Sequence, residues 1–396
     1  MPQRFTTRGI AFCTLLLAVA LSGCATAAHW AFNTPSSEIY VITYVFEGGP
    51  CVGWQLAVGS TTTSGDNCNQ PITKIPTGSA VLPASGVFSS PAQYPIRKTS
   101  AAGADTLLVA DAFTGLDVFN LTTGAKLTTI PIPGNPLDLV PSPGQSTVYA
   151  VVYSPSGASP SIAVIDAAAL TVTATIPLPN NTFPICGALS PDGGTLYVSN
   201  AGSSDLTSNP NTSILVVDTA SQTVTGSIPF SASGNENLFG YYLRLAVSPD
   251  GTLLYATGAG GYLEAIDTLT QAPVSFIKFN PGIFVSATSP APHIVFAPDG
   301  TKVYVATGNA YGSLIEVIDP YTSQPLNSVS VGNANSFLFD LAITYDGSTL
   351  YALDGSTGIT YPIDTATLAV GTPIPRQNLP TTANASIGFA SLAVRP

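Results

Sequence analysis

The stretch whose reading decides the fold is YLRLAVSPDGTLLYATGAGGYLEAIDTLTQAPVSFIKF, Tyr242 to Phe279. It contains four short β-prone runs, Leu243–Ser248, Leu253–Thr257, Leu263–Asp267 and Val274–Phe279. Pro-Asp-Gly joins the first two runs, and Gly-Ala-Gly-Gly and Thr-Leu-Thr-Gln separate the others. Each run has the length and the branched or aromatic content of a strand, and each break has turn chemistry. The stretch predicts a four-stranded antiparallel meander, with strands A, B, C and D in chain order.

The unit recurs. Tyr149, Tyr197, Tyr255, Tyr304 and Tyr351 each follow an A–B turn, and the turns read SPGQ, SPDGG, SPDG, APDG and TYDG. Strand C then ends in Ile165-Asp166, Val217-Asp218, Ile266-Asp267, Ile318-Asp319 and Ile363-Asp364. Prolines recur near the end of D (Pro131, Pro177, Pro229, Pro375), where an edge strand tolerates a missing N–H. A period of about 40–60 residues with four strands per unit is the mark of a β-propeller.

Two weaker units extend the count. Tyr94–Ser100, Thr106–Asp111, Gly115–Asn120 and Lys126–Ile132 supply one. Glu38–Tyr44, Gly53–Ser60 and Pro71–Pro76 supply B, C and D of another that lacks its own A. The missing strand is expected at the far end of the chain, where SLAVRP (Ser391–Pro396) aligns with RLAVSP (Arg244–Pro249). The prediction is an all-β, seven-bladed propeller over residues 37–396, closed by the C-terminal strand pairing into the first blade. A length of 396 residues, 45% hydrophobic and only 8% charged, suits such a repeat and excludes a disordered chain.

The SPDG turn, the LYV segment and the VID–T–T–I run resemble the YVTN-type repeat family of seven-bladed propellers, over roughly residues 135–375. Leu196-Tyr197-Val198-Ser199-Asn200 comes nearest to its signature. The resemblance implies a fold and hardly any function, because propellers host many unrelated activities.

The N-terminus reads as a targeting segment. Arg4 and Arg8 precede the apolar run Gly9–Ala20, which is short of the roughly 20 residues that span a bilayer. The run leads into Leu21-Ser22-Gly23-Cys24, which resembles the lipobox of bacterial lipoproteins. That resemblance implies a signal peptide over residues 1–23, a lipid on Cys24 and a tether over 24–36. It also implies a place in the cell envelope, with the outer membrane favoured because Ala25, not Asp, follows the cysteine. The full chain carries 22 acidic and 11 basic residues; losing Arg4 and Arg8 leaves nine bases and a formal charge of −13. No basic stripe exists for a nucleic acid. Cys51 and Cys68 of an exported chain are expected to form a disulfide, although strand order puts them at opposite ends of their blade. Either the TTTSGDN loop folds back or the strand register there differs.

The Asp residues of the Asp-Gly turns (Asp192, Asp250, Asp299, Asp346) read as hairpin chemistry, not metal ligands. No haem, zinc or nucleophile-elbow motif occurs, so no cofactor or metal is expected. One constellation stands out. Eleven residues before each B-strand tyrosine, or before its equivalent Leu108, lie Arg97, Asp138, Cys186, Arg244, His293 and Asp340, with Ser391 at the same place in the closing strand. These positions fall near the start of strand A, beside the axis. Two readings are open: the charges pair and plug the channel, or they bind a ligand, for which arginine and histidine favour an anion such as a carboxylate. The loops at this end are rich in Asn and aromatics (Asn180, Phe183, Asn235–Tyr242, Asn309, Tyr311, Asn333–Phe337), a mixture suited to a glycan or peptide. A non-enzymatic binding or scaffold lipoprotein is the leading expectation. The alternative is a lactonase-type propeller hydrolase acting on a small anion, with His293 and Arg244 as catalytic candidates.

Overall fold

In a computed structural model the chain is all-β. The structure describes residues 39–46, 52–56, 74–75, 106–111, 115–120, 126–143, 146–154, 159–180, 182–200, 212–229, 242–258, 262–279, 293–309, 312–333, 336, 338–344, 346–354, 357, 359–374 and 386–394. The first sheet contains β1 (Ile39–Phe46), β2 (Val52–Leu56) and β3 (Lys74–Ile75), and the second β4 (Thr106–Asp111), β5 (Gly115–Asn120) and β6 (Lys126–Ile130). The third is built from β7 (Asn135–Pro141), β8 (Thr147–Tyr153), β9 (Ser161–Asp166) and β10 (Thr171–Pro177). The fourth holds β11 (Pro184–Leu189), β12 (Thr195–Asn200), β13 (Ser213–Asp218) and β14 (Thr223–Pro229). The quoted stretch forms the fifth: β15 (Tyr242–Val247), β16 (Leu253–Gly258), β17 (Tyr262–Asp267) and β18 (Ala272–Lys278). The sixth contains β19 (Ile294–Phe296), β20 (Val303–Asn309), β21 (Gly312–Asp319) and β22 (Gln324–Val331). The seventh has β23 (Leu338–Ile343), β24 (Thr349–Asp354) and β25 (Thr360–Asp364), and β26 (Ser386–Val394) ends the chain.

The third to sixth sheets are the expected antiparallel meanders in chain order. The expectation of seven four-stranded blades is corrected to five: among the described residues two sheets, β4–β6 and β23–β25, have three strands. In β4–β6 the expected inner strand, Tyr94–Ser100, lies outside the described residues. In β23–β25 the fourth segment makes only the isolated bridges Thr360↔Ile374 and Ile363↔Val370. Pro362 and Pro373 have no N–H to give, which breaks a continuous ladder there.

The first sheet departs from expectation in another way. β26 pairs antiparallel with β1 over its length, Ile39↔Val394 to Phe46↔Ser386, as the SLAVRP alignment predicts. But β3 pairs with β1, at Ile39↔Ile75 and Tyr40↔Lys74, and not with β2. β2 ends at Leu56, opposite Ile42, so the start of β1 has an open edge that β3 fills. Cys51 and Cys68 lie outside the described residues.

The core lies between sheets. Val140, Tyr149 and Val151 of the third sheet pack with Leu189, Leu196 and Val198 of the fourth, and Ala246, Tyr255 and Leu263 of the fifth with Ile294, Phe296 and Val305 of the sixth. The third to sixth sheets therefore bury both faces, one against the sheet before and one against the sheet after. This explains the near-continuous apolar A and B strands, whereas the outer β10 and β14 alternate exposed and half-buried residues.

The turns form a second set of contacts. Asp192, Asp250, Asp299 and Asp346 each accept the N–H two residues on through Oδ1, at 2.9–3.0 Å, which satisfies the hairpin reading. The following Gly251 has φ +77°, and a Cβ there would stand 3.2 Å from Pro191 Cδ of the preceding sheet. The B-strand tyrosines reach the next sheet: Tyr255 Oη donates to the Pro320 carbonyl at 2.6 Å. Burial holds the phenols of Tyr149, Tyr197, Tyr255 and Tyr351 above their ordinary range. Tyr304 is pushed up to about 12 by burial, reinforced by Asp299.

A phenol whose pKa is raised on folding contributes stability that is complete below the unfolded value, about 10, and is lost as pH climbs through the folded one. The fold is expected to hold to about pH 10 and then collapse cooperatively, with tyrosinate absorbance and loss of near-UV circular dichroism rising together. Stepwise ionisation of five tyrosines in an intact fold would contradict this.

Candidate functional site

The repeat position singled out in the sequence sits on an irregularity in five of the inner strands, and in the sixth sheet His293 stands just before β19, whose pairing has no such shift. In β7 the register shifts between Pro136 and Asp138, in β15 between Tyr242 and Arg244, and in β23 between Leu338 and Asp340. β11 shifts between Pro184 and Gly187, around Cys186, and Ser391 of β26 stands opposite Ile42, where that pairing shifts. A bulge bends the strand and re-aims the side chain that follows it. Sequence reasoning missed it, because the extra residues (Leu137, Leu243, Phe339) are apolar and none is the glycine that marks one common bulge type.

Once re-aimed, these side chains stitch one sheet to the next. Asp138 Oδ1 accepts the Leu139 N–H of its own strand at 2.9 Å, and Oδ2 accepts the Gly187 N–H of the fourth sheet at 2.9 Å. His293 does the same between the sixth and seventh sheets, its Nδ1 accepting from Leu341 N–H at 3.3 Å. His293 Nε2 lies 2.8 Å from Asp340 Oδ1, which also accepts the Leu341 N–H at 2.8 Å. Burial holds the His293 pKa down and the Arg244 charge adds to this, against the opposing pull of Asp340. With Nδ1 accepting and Nε2 donating, the ring is the neutral tautomer with both nitrogens engaged.

Arg244 breaks the pattern. It is 5% exposed, and its Nε is buried without a hydrogen-bond partner. A guanidinium has donors only, so it cannot accept a neighbouring sheet's N–H as Asp138 and His293 do. Among the described residues no carboxylate forms an ion pair with it. Of the two readings the sequence leaves open, an Arg–Asp pair at Arg244 is not seen among the described residues.

The other candidates divide. Cys186 is buried, its Sγ 3.2 Å from Ser199 Oγ, and serves as core. Arg97 and Cys24 lie outside the described residues, and Ser391 is placed by its backbone only. Of the loop residues, Phe183 is buried edge-on against Tyr153, with ring centroids 4.6 Å apart, and belongs to the core. Asn180 Oδ1 accepts from Ser159 Oγ at 2.7 Å. Asn235, Tyr311 and Phe337 lie outside the described residues. Among the described residues no group of His, Cys, Asp and Glu could hold a metal ion.

No family model matches the sequence, and neither does any curated protein sequence. Among solved structures the chain is similar to Kuenenia stuttgartiensis hydrazine synthase, with a TM-score of 0.50 and 21% identity, over 63% of this chain and 68% of that one. At that identity the likeness concerns fold alone. Together with the sheets above, it shows a β-propeller of four-stranded antiparallel blades.

Proposed function

We propose that this chain is a binding protein of the cell envelope, a YVTN-type propeller that takes a small anion at the Arg244 end of its inner strands. The carrying observation is the buried guanidinium of Arg244, which has no described counter-charge. A buried charge is strongly disfavoured unless paired, so a guanidinium with no described counter-charge is suited to an anion that arrives from outside. His293 supports binding over hydrolysis. Its Nδ1 lone pair is taken by Leu341 N–H, so it has none to act as a general base.

That β26 joins β1 and packs beside β23 and β24 supports a ring closed by the C-terminal strand. The Leu-Ser-Gly-Cys24 order supports a lipid anchor. β1 starts at Ile39 opposite Val394, the end of the strands that carries the Asp-Gly turns, while Arg244 and its equivalents occupy the other end. A tether at Ile39 would therefore present the Arg244 end away from the bilayer.

Two measurements test the reading. Metabolic labelling with a fatty-acid analogue is expected to mark the wild type and not Cys24→Ser; equal labelling removes the anchor. Calorimetric titration with small carboxylates and oxyanions is expected to show binding that Arg244→Gln abolishes. Binding untouched by that substitution places the site elsewhere.

A further inference from the structure

Resting on the anion reading, we infer that the ligand group at Arg244 is a single planar monoanion, a carboxylate, and not a phosphate, a sulfate or a dicarboxylate. The first argument is charge. Arg244 is one cation, and both nitrogens of His293 beside it are engaged, Nε2 with Asp340 and Nδ1 with the Leu341 N–H, while burial disfavours its charged form against the pull of Asp340. No second described cation stands at this repeat position to balance a second negative charge. The whole chain, at −11, opposes a polyanion as well.

The second argument is shape. The Nε–H is the inner arm of the guanidinium fork, and it is the atom left buried without a partner. Satisfying it together with a neighbouring Nη–H requires two acceptors in one plane, which a carboxylate supplies as a bidentate pair. A lysine at this place would keep the charge and lose the fork.

The test is a titration of the purified protein with acetate and benzoate, then with inorganic phosphate, sulfate and succinate, on the wild type, Arg244→Lys and Arg244→Gln. Near-UV circular dichroism checks that each variant is folded. The monocarboxylates are expected to bind the wild type at least about tenfold more tightly than the others. Arg244→Lys is expected to lose about tenfold or more, one charge-assisted hydrogen bond being worth at least that factor. Phosphate or sulfate binding as tightly as acetate would overturn the monoanion inference and leave the anion site standing. Arg244→Lys binding like the wild type would overturn the fork, again leaving the anion site. No binding of any anion to the wild type would remove both.

Discussion

Removing Ser386–Pro396 is expected to abolish the cooperative melt of the whole propeller, or to lower its midpoint by more than about 10 °C, since each kcal/mol lost moves the midpoint by roughly 2–4 °C in a domain of this order. β26 pairs with β1 from Ile39 to Phe46 and packs against β23 and β24, so its loss exposes the edge of the first sheet and an apolar face of the seventh at once. Differential scanning calorimetry of the shortened chain checks this. An unchanged melt would mean that the ring is sealed by other contacts.

His293→Ala is expected to destabilise the protein by roughly 3 kcal/mol, because it removes the Nε2–H donor of the buried Asp340 carboxylate and the acceptor for Leu341 N–H. The same residue gives stability a pH dependence of known sign. A histidine whose pKa is depressed on folding contributes stability that is present above its unfolded pKa, about 6.5, and is lost as pH falls through the folded value. Urea midpoints of the wild type should therefore decline below pH 6.5. His293→Gln, which has no proton to take up, should decline less. Equal slopes for the two would place the acid sensitivity elsewhere.

Much of the fold is legible in the sequence because the repeat carries its own punctuation. The Ser-Pro-Asp-Gly turn, the B-strand tyrosine and the Asp that ends strand C each have one local task, and the structure shows each performing it. Asp250 holds its turn, Tyr255 reaches the Pro320 carbonyl, and Asp267 accepts the Thr270 N–H at 2.7 Å. What the sequence conceals is set by neighbours. The partner of β3 depends on where β2 stops, and Pro362 and Pro373 thin the ladder of the seventh sheet only because they face each other's segment.

The ring position was also legible, as a column of charged and imidazole residues, but the meaning of each member was not. Asp138, His293 and Arg244 are equivalent by position, yet the first two accept a backbone N–H from the next sheet and the third cannot. That difference follows from hydrogen-bond inventory, donors against acceptors, combined with a bulge that no residue type announces. Repetition thus conserves a place in the fold while letting the chemistry placed there change.

The central claim is that Arg244 is held unpaired for a ligand, and the stability of Arg244→Met tests it most directly. If the guanidinium waits for an anion, an apolar side chain of similar length relieves its burial, and the empty protein should melt at the same temperature or higher while losing anion binding. If Arg244 instead neutralises a buried carboxylate of the ring, the substitution strands that charge, and stability should fall by roughly 3–5 kcal/mol. The account predicts the first result; the second would contradict it.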